Sequence, residues 1–246
     1  MSQQLKQSQL VTALRALPSE MTARLESLKT DGNHLRKRPD LLWYLLLQSA
    51  ATHGNSRGLD GLCGNQKTLE SVSYDRLVRR NPAAREKILL AALRTAKVRM
   101  PTIKAPRLAT NVSLIANLGG VEQATQMMLS LSTRDEKYHF AQSFSGIGEK
   151  YGRNIWMDIY DPAFRDTVAI DERLKKIALA LGFTAKRYSD TEAFFCTIAK
   201  EAELEPWELD RLLYNFNDHF LAAIELSSPK LHVKRSILKR RCQKLK

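Results

Sequence analysis

Cysteine is scarce in this chain: 246 residues hold three, Cys63, Cys196 and Cys242, far apart and in no Cys-x-x-Cys spacing. That argues against a zinc ribbon, an iron–sulfur cluster and a disulfide scaffold. The five histidines, His34, His53, His139, His219 and His232, also lack metal-ligand spacing, so no metal-dependent catalysis is expected. Long apolar runs are missing as well. The longest, Leu41–Leu47, falls far short of the roughly 20 residues a bilayer-spanning helix needs, and the opening MSQQLKQSQL has no apolar signal core. A reducing, intracellular setting is expected, cytoplasmic and nucleoid-associated or nuclear, with no membrane partner. Acids are few, 26 against 39 Lys and Arg, which gives a formal net charge of +13 and a pI near 9.8. Such an excess points to a polyanionic partner. No segment shows the strict alternation of an exposed strand, and the fold class expected is all-α.

Apolar residues recur at a helical period through most of the chain. Two short helices are predicted in residues 1–28 around Pro18-Ser19-Glu20, with Asp31-Gly32-Asn33 as a turn. Asp40–His53 is apolar almost all round, as a central helix would be. Residues 54–68, rich in Gly, Asn and Ser, read as a loop. Helices are expected at Leu69–Arg79 and Ala83–Val98, and, after breaks at Pro101 and Pro106, at Ala109–Leu118 and Val121–Leu131. Further helices follow at Arg134–Ser143, Glu149–Tyr160, Asp171–Leu181 with Gly182 as its cap, Ser189–Ala202 and Pro206–Glu225. Two stretches concentrate the positive charge. Between Arg76 and Arg107 there are ten Lys or Arg and one acid, Glu86; residues 230–246 carry eight and no acid. Both suit a phosphate-bearing partner.

The chemistry-bearing stretch is 136–182. Gly146-Ile147-Gly148 can turn tightly and come close to another molecule, since neither glycine has a Cβ. A helix beginning at Glu149 would then turn its free N–H groups outward, where a phosphate fits. Lys150 lies in that first turn, where the positive end of the helix disfavours its protonation. Asp171 opens the next helical pattern. Each also has a plain structural reading: the glycines as a helix end, Lys150 as a solvated first-turn lysine, and Asp171 as an N-cap.

Phe144-Ser145-Gly146-Ile147-Gly148-Glu149-Lys150, followed by Val168-Ala169-Ile170-Asp171, resembles the hairpin lysine and the aspartate motif of the helix-hairpin-helix DNA glycosylases, the superfamily of endonuclease III and 8-oxoguanine DNA glycosylase. The resemblance covers about residues 40–225 and is strongest at 140–182. It implies a two-lobed α-helical protein with an interlobe DNA-binding cleft. Residues 39–163 would form a six-helix lobe ending in the hairpin, and 1–38 with 164–246 a second lobe carrying the basic tail 230–246. The implied partner is double-stranded DNA containing damaged bases, and the protein would act as a monomer. The implied activity is a base-excision DNA glycosylase with lyase activity, with Lys150 as nucleophile and Asp171 stabilising the positive charge that develops on the sugar. The amides of Gly146, Gly148 and Lys150, with Ile147 between the glycines, would grip DNA, and carbonyls of the turn could hold a structural monovalent cation; no other cofactor is implied.

Gln48 on the central helix could reach into the duplex or be a satisfied buried side chain. Phe216, in Tyr214-Asn215-Phe216, could stack on an extruded base or belong to an aromatic core. Position 173 is Arg173 where many relatives place a histidine, a departure from the family pattern that bears on the substrate; the C-terminal iron–sulfur cysteines of the endonuclease III branch are missing, and that absence leans the resemblance toward the branch acting on oxidised purines such as 8-oxoguanine. A non-catalytic DNA-binding protein that keeps the hairpin as a phosphate clip is the alternative.

Overall fold

The computed structural model describes residues 2–52 and 57–225, and among these every regular element is helical. The basic tail 230–246, His53, His232 and Cys242 lie outside the described residues. The chain divides into two compact units, residues 1–29 with 164–246, and residues 30–163. The division falls inside a helix that begins in the first unit and ends in the second.

The first unit opens with α1 (Gln3–Arg15), capped by the Ser2 hydroxyl on the amide of Leu5, and with most of α2 (Ser19–Leu35). It resumes after residue 163 with α12 (Glu172–Leu181), α13 (Tyr188–Glu201), α14 (Pro206–Asn215) and α15 (Asn217–Glu225). Leu174, Ile177, Ala178 and Leu181 of α12 are buried with Leu10 and Leu14 of α1 and with Trp207, Leu212, Leu213 and Phe220. Gly182 ends α12 in the left-handed region at φ +83°, as its sequence position predicts. Pro206–Glu225 is two helices rather than one: the backbone at Phe216 leaves helical geometry at φ −120°, ψ 35°.

In the second unit α3 (Leu41–Ala51) is central, with only Tyr44, Gln48 and Ala50 partly exposed. Its first turn is tied by two hydrogen bonds that involve side chains. Trp43 Nε1 donates to Val72 O at 2.8 Å, and the Leu42 amide donates to the buried Thr125 hydroxyl at 3.2 Å. Around it lie α4 (Arg57–Leu62), α5 (Gln66–Ser71), α6 (Tyr74–Val78), α7 (Pro82–Thr95), α8 (Pro101–Asn117), α9 (Val121–Ser130), α10 (Arg134–Gln142) and α11 (Glu149–Asp158).

Three expectations are corrected here. The turn at Asp31-Gly32-Asn33 is helical; Gly32 serves close packing, since a Cβ there would sit 3.1 Å from the carbonyl of Asp158. The loop expected over 54–68 contains α4 and the start of α5. Its glycines also serve contact, with a Cβ at Gly58 falling 2.7 Å from Ala51 O and one at Gly61 falling 2.6 Å from Ala96 O. Pro101 starts α8 and Pro106 lies within it, because burial of Ala105, Leu108, Ala109, Val112 and Ile115 along one face outweighs the proline's local cost.

Candidate functional site

The Gly-Ile-Gly sequence forms a tight turn between α10 and α11 in the second unit. Thr133 and Glu136 form a reciprocal capping box that starts α10, and Phe144, stacked edge-on to Phe140 at 5.4 Å, closes it into the core. Gly146 then takes φ +90°, a conformation that L side chains avoid, so glycine is required there. Gly148 is extended and caps α11; a Cβ on it would meet nothing within 4 Å. This glycine leaves room for something outside the protein to approach the backbone.

No side chain caps α11, and the amides of Glu149, Lys150 and Tyr151 have no acceptor among the described residues. They form an anion-binding end of a helix. Asn111, 1% exposed on α8, holds the turn from behind. Its Nδ2 donates to Ser145 O at 3.1 Å and its Oδ1 accepts from the Ser145 amide at 2.7 Å. The far end of α11 is fixed by Asp161, 3% exposed, which accepts from Lys137 Nζ at 2.7 Å and from the Arg36 guanidinium. Gly152 allows α11 to pack on Tyr138 of α10, where a Cβ would lie 2.9 Å from the ring.

Lys150 is partly exposed, its ammonium 4.6 Å from the centre of the Tyr151 ring. The Tyr151 hydroxyl is 3.4 Å from that of Thr52, at the end of α3. Gln48, also on α3, donates to Asp158 Oδ2 at 2.7 Å, an oxygen that Asn154 reaches as well at 2.9 Å. The structure therefore brings Gln48 to the same helix as Lys150, with its amide nitrogen engaged.

Asp171 lies in the first unit, in an extended conformation at the start of α12. Its Oδ1 accepts from the amides of Arg173 at 2.9 Å and Leu174 at 3.0 Å, and its second oxygen makes no hydrogen bond among the described residues. The N-cap reading is correct and leaves half the carboxylate available. Two residues that sequence reading did not single out fix the backbone before it. Asp210, 3% exposed on α14, accepts from the Ala169 amide at 2.9 Å; the Tyr188 hydroxyl accepts from the Ile170 amide at 2.8 Å and donates to Val168 O at 3.3 Å. Arg173 lies 4.2 Å above the Tyr214 ring and donates to Tyr214 O at 2.5 Å, while Asn217 Nδ2 donates to Arg173 O at 3.3 Å. The start of α12 is thereby joined to the break at Phe216, whose ring is partly exposed.

The only trace that Asn111 and Asp210 leave in the sequence is a polar side chain on an otherwise apolar helical face, Leu108-Ala109-x-x-Val112 and Leu209-x-x-Leu212-Leu213. Of the basic residues between 76 and 107, Arg85 is turned inward, with its guanidinium donating to Leu77 O, Val78 O and the Ser113 hydroxyl. Arg76, Arg79, Arg80, Lys87, Arg94, Lys97, Arg99 and Arg107 are exposed. Among the described residues no three His, Cys, Asp or Glu side chains gather as a metal site, and no helix is long and apolar enough to cross a membrane.

No protein-family model and no curated protein sequence matches the chain. Solved structures do match. The 8-oxoguanine DNA glycosylase of Thermotoga maritima superposes with a TM-score of 0.64 at 15% identity, covering 85% of this chain and 96% of that one. Its fold is that of the 8-oxoguanine DNA glycosylases. The Methanocaldococcus jannaschii 8-oxoguanine DNA glycosylase gives a TM-score of 0.61 at 15% identity over 84% of this chain and 92% of its own. The M. jannaschii glycosylase/lyase in complex with a 15mer DNA containing 8-oxoguanine gives 0.59 at 14%, over 80% and 91%. At such identities the shared property is the fold.

Proposed function

We propose that the protein is a base-excision DNA glycosylase with lyase activity, acting on an oxidised purine such as 8-oxoguanine in duplex DNA. The carrying observation is the turn itself. Gly146 at φ +90°, an open Gly148, three unacceptored amides and Lys150 in the same helical turn lie on a fold shared with enzymes of that activity. A bare phosphate clip needs the glycines and amides; it needs neither an amine in that turn nor a carboxylate held at Asp171.

In this reading the amides of Glu149 to Tyr151 hold a DNA phosphate and the target nucleotide is extruded from the stack. The neutral amine of Lys150 attacks C1′ of its sugar. The C1′–N bond breaks, its electron pair leaves with the base, and the base takes up a proton. Asp171 supplies the negative charge that stabilises the cationic sugar. The amine gives up one of its two protons; the ring then opens, the C1′–O4′ bond pair passing to O4′, which takes up a proton, while the nitrogen lone pair forms a protonated iminium, C1′=N⁺H, between Lys150 and C1′. Removal of a proton from C2′ then expels the 3′ phosphate, breaking the C3′–O bond and nicking the strand. Gln48 and Phe216 are proposed as contacts beside the extruded nucleotide, and carbonyls of the turn as ligands of a monovalent cation.

Borohydride trapping on duplexes carrying single oxidised bases or an abasic site tests this. A covalent adduct that disappears in Lys150→Ala is expected. Salt-sensitive binding with no excision and no adduct on any lesion would leave the non-catalytic clip as the function.

A further inference from the structure

Beside the turn, within the second unit, is a recess of about 190 Å³. Leu46 and Ala50 of α3 and Leu108 of α8 form its apolar side, and Ser49, Lys104, Arg107, Asn111, Ser145 and Tyr151 its polar one, with Gly146 at its edge by the turn. Its size limits the ligand, because sites for whole drug-sized molecules run to about 300–1,000 Å³, whereas this one suits a single small group and a few waters.

Its charge limits the ligand further. Lys104 and Arg107 line it, Arg99 stands close enough to act on Lys104, and no carboxylate lines it. Arg99 and Arg107 make no hydrogen bond or ion pair among the described residues. Lys104 gives one hydrogen bond, to Ala50 O at 2.7 Å, which uses one of an ammonium's three donors. Burial, then Arg99 and Arg107, press the Lys104 amine down from its ordinary range to about 8. The cluster is therefore a concentration of like charge that the protein does not neutralise, and a bound anion would relieve it.

We propose that this recess binds a phosphate dianion, a terminal phosphomonoester, held by Lys104 and Arg107 next to the Gly146 turn. A phosphodiester carries one negative charge and its strand must leave the recess at both ends. A monoester carries close to two near neutral pH and is attached at one end only, which fits both the unneutralised positive charge and the small volume. Two sources share that chemistry: the 5′-phosphate at a strand break, and free phosphate or a small phosphomonoester. The first is the expected source, resting on the lyase reading above, since the elimination step leaves such an end on the downstream strand.

The full-length protein is titrated by fluorescence anisotropy with undamaged nicked duplexes that differ only in a 5′-phosphate or 5′-hydroxyl at the nick. A second arm titrates inorganic phosphate alone, followed by phosphorus NMR line width. The 5′-phosphate duplex is expected to bind about tenfold more tightly, the scale of one charge-assisted contact. Lys104→Met and Arg107→Gln each reduce the preference to less than about twofold, and Lys104→Arg keeps most of it, which controls for folding. A Lys104-dependent response to inorganic phosphate with no preference between the duplexes assigns the site to free phosphate and upholds the dianion site. No response in either arm, or responses unchanged in both Lys104→Met and Arg107→Gln, overturns it. Since none of these ligands carries a damaged base, failure of excision and failure of this site are read separately.

Discussion

Asn111 and Ser145, 34 residues apart, exchange two hydrogen bonds, the Asn111 amide nitrogen to the Ser145 carbonyl and the Ser145 backbone amide to the Asn111 oxygen. This reciprocal pair fixes the entry to the Gly-Ile-Gly turn from the buried side. Asn111→Ala strips both polar groups of the Ser145 peptide of their partners, at a cost of about 1–3 kcal/mol in urea denaturation. Asn111→Asp keeps the acceptor and should fall between. A wild-type midpoint in Asn111→Ala would show that the turn holds its shape without the clamp.

The two glycines of the turn should respond differently to the same substitution. Gly146→Ala forces an L side chain into φ +90° with its Cβ 3.1 Å from Arg107 Cδ, and should cost about 1–2 kcal/mol of stability. Gly148→Ala is sterically free within the protein, so its denaturation curve should match wild type to within about 0.5 kcal/mol. Its affinity for duplex DNA should nonetheless fall severalfold, because the added methyl occupies the approach to the amides of α11. Equal DNA affinity in Gly148→Ala and wild type would remove this face of the turn from the binding surface.

Capping and chemistry can be separated at Asp171. Asn and Ser both cap helices well, so Asp171→Asn and Asp171→Ser should lose little stability, whereas Asp171→Ala loses about 1 kcal/mol of the cap. If the carboxylate stabilises a cationic sugar, all three lose excision regardless of their melting temperatures. Excision that follows stability through the series would make Asp171 a cap and nothing more.

The elements that could be read from the sequence are those whose signals are local. Thr133 and Glu136 are three residues apart, Asp171 caps the amides two and three positions after it, and Gly182 ends the helix it adjoins; α10, the turn, α11 and α12 accordingly lie where their patterns predict. What supports them is not local. Asn111 meets Ser145 across 34 positions and Asp210 meets Ala169 across 41, and neither spacing leaves a periodic trace. Glycine misled the reading in the opposite direction. Gly32, Gly58 and Gly61 suggest turns by composition, yet each lies in a helix and lets another segment come close.

Asp210 and Tyr188 are positioning residues in the proposed reaction, since each acts on the Asp171 backbone through the two amides before it. Asp210→Asn keeps an acceptor but removes the charge beside Arg211, whose Nη1 is 3.6 Å from Asp210 Oδ2. Tyr188→Phe removes the bonds to Ile170 and Val168 while keeping the ring. Tyr188→Phe should lower single-turnover excision by up to about a hundredfold, as misplacement of a catalytic group by an ångström does, and leave affinity for damaged duplex within about twofold. A loss of affinity with unchanged single-turnover rate would place Tyr188 in binding instead.

Lys104 gives the clearest dependence on pH. Its amine titrates near 8 in the folded protein against about 10.5 in the unfolded chain, through burial and then the charges of Arg99 and Arg107. The other ionisable side chains lining the recess are Arg107, on the same helix as Lys104, and Tyr151; α3 and the turn contribute none there. Between those values the unfolded chain holds a proton that the folded protein has released, so this residue's contribution to stability rises with pH from about 8 to 10.5 and is flat below 8. Wild type and Lys104→Met, compared by denaturation at pH 7, 8.5 and 9.5, should therefore differ in slope, with the variant losing the rise. The bound anion reverses this by favouring the ammonium, so phosphate affinity should fall as pH passes 8 and the amine should titrate higher in the complex, a shift visible by carbon NMR of the Lys104 side chain. Phosphate affinity that stays constant from pH 7 to 9.5 would separate the recess from the titration of Lys104.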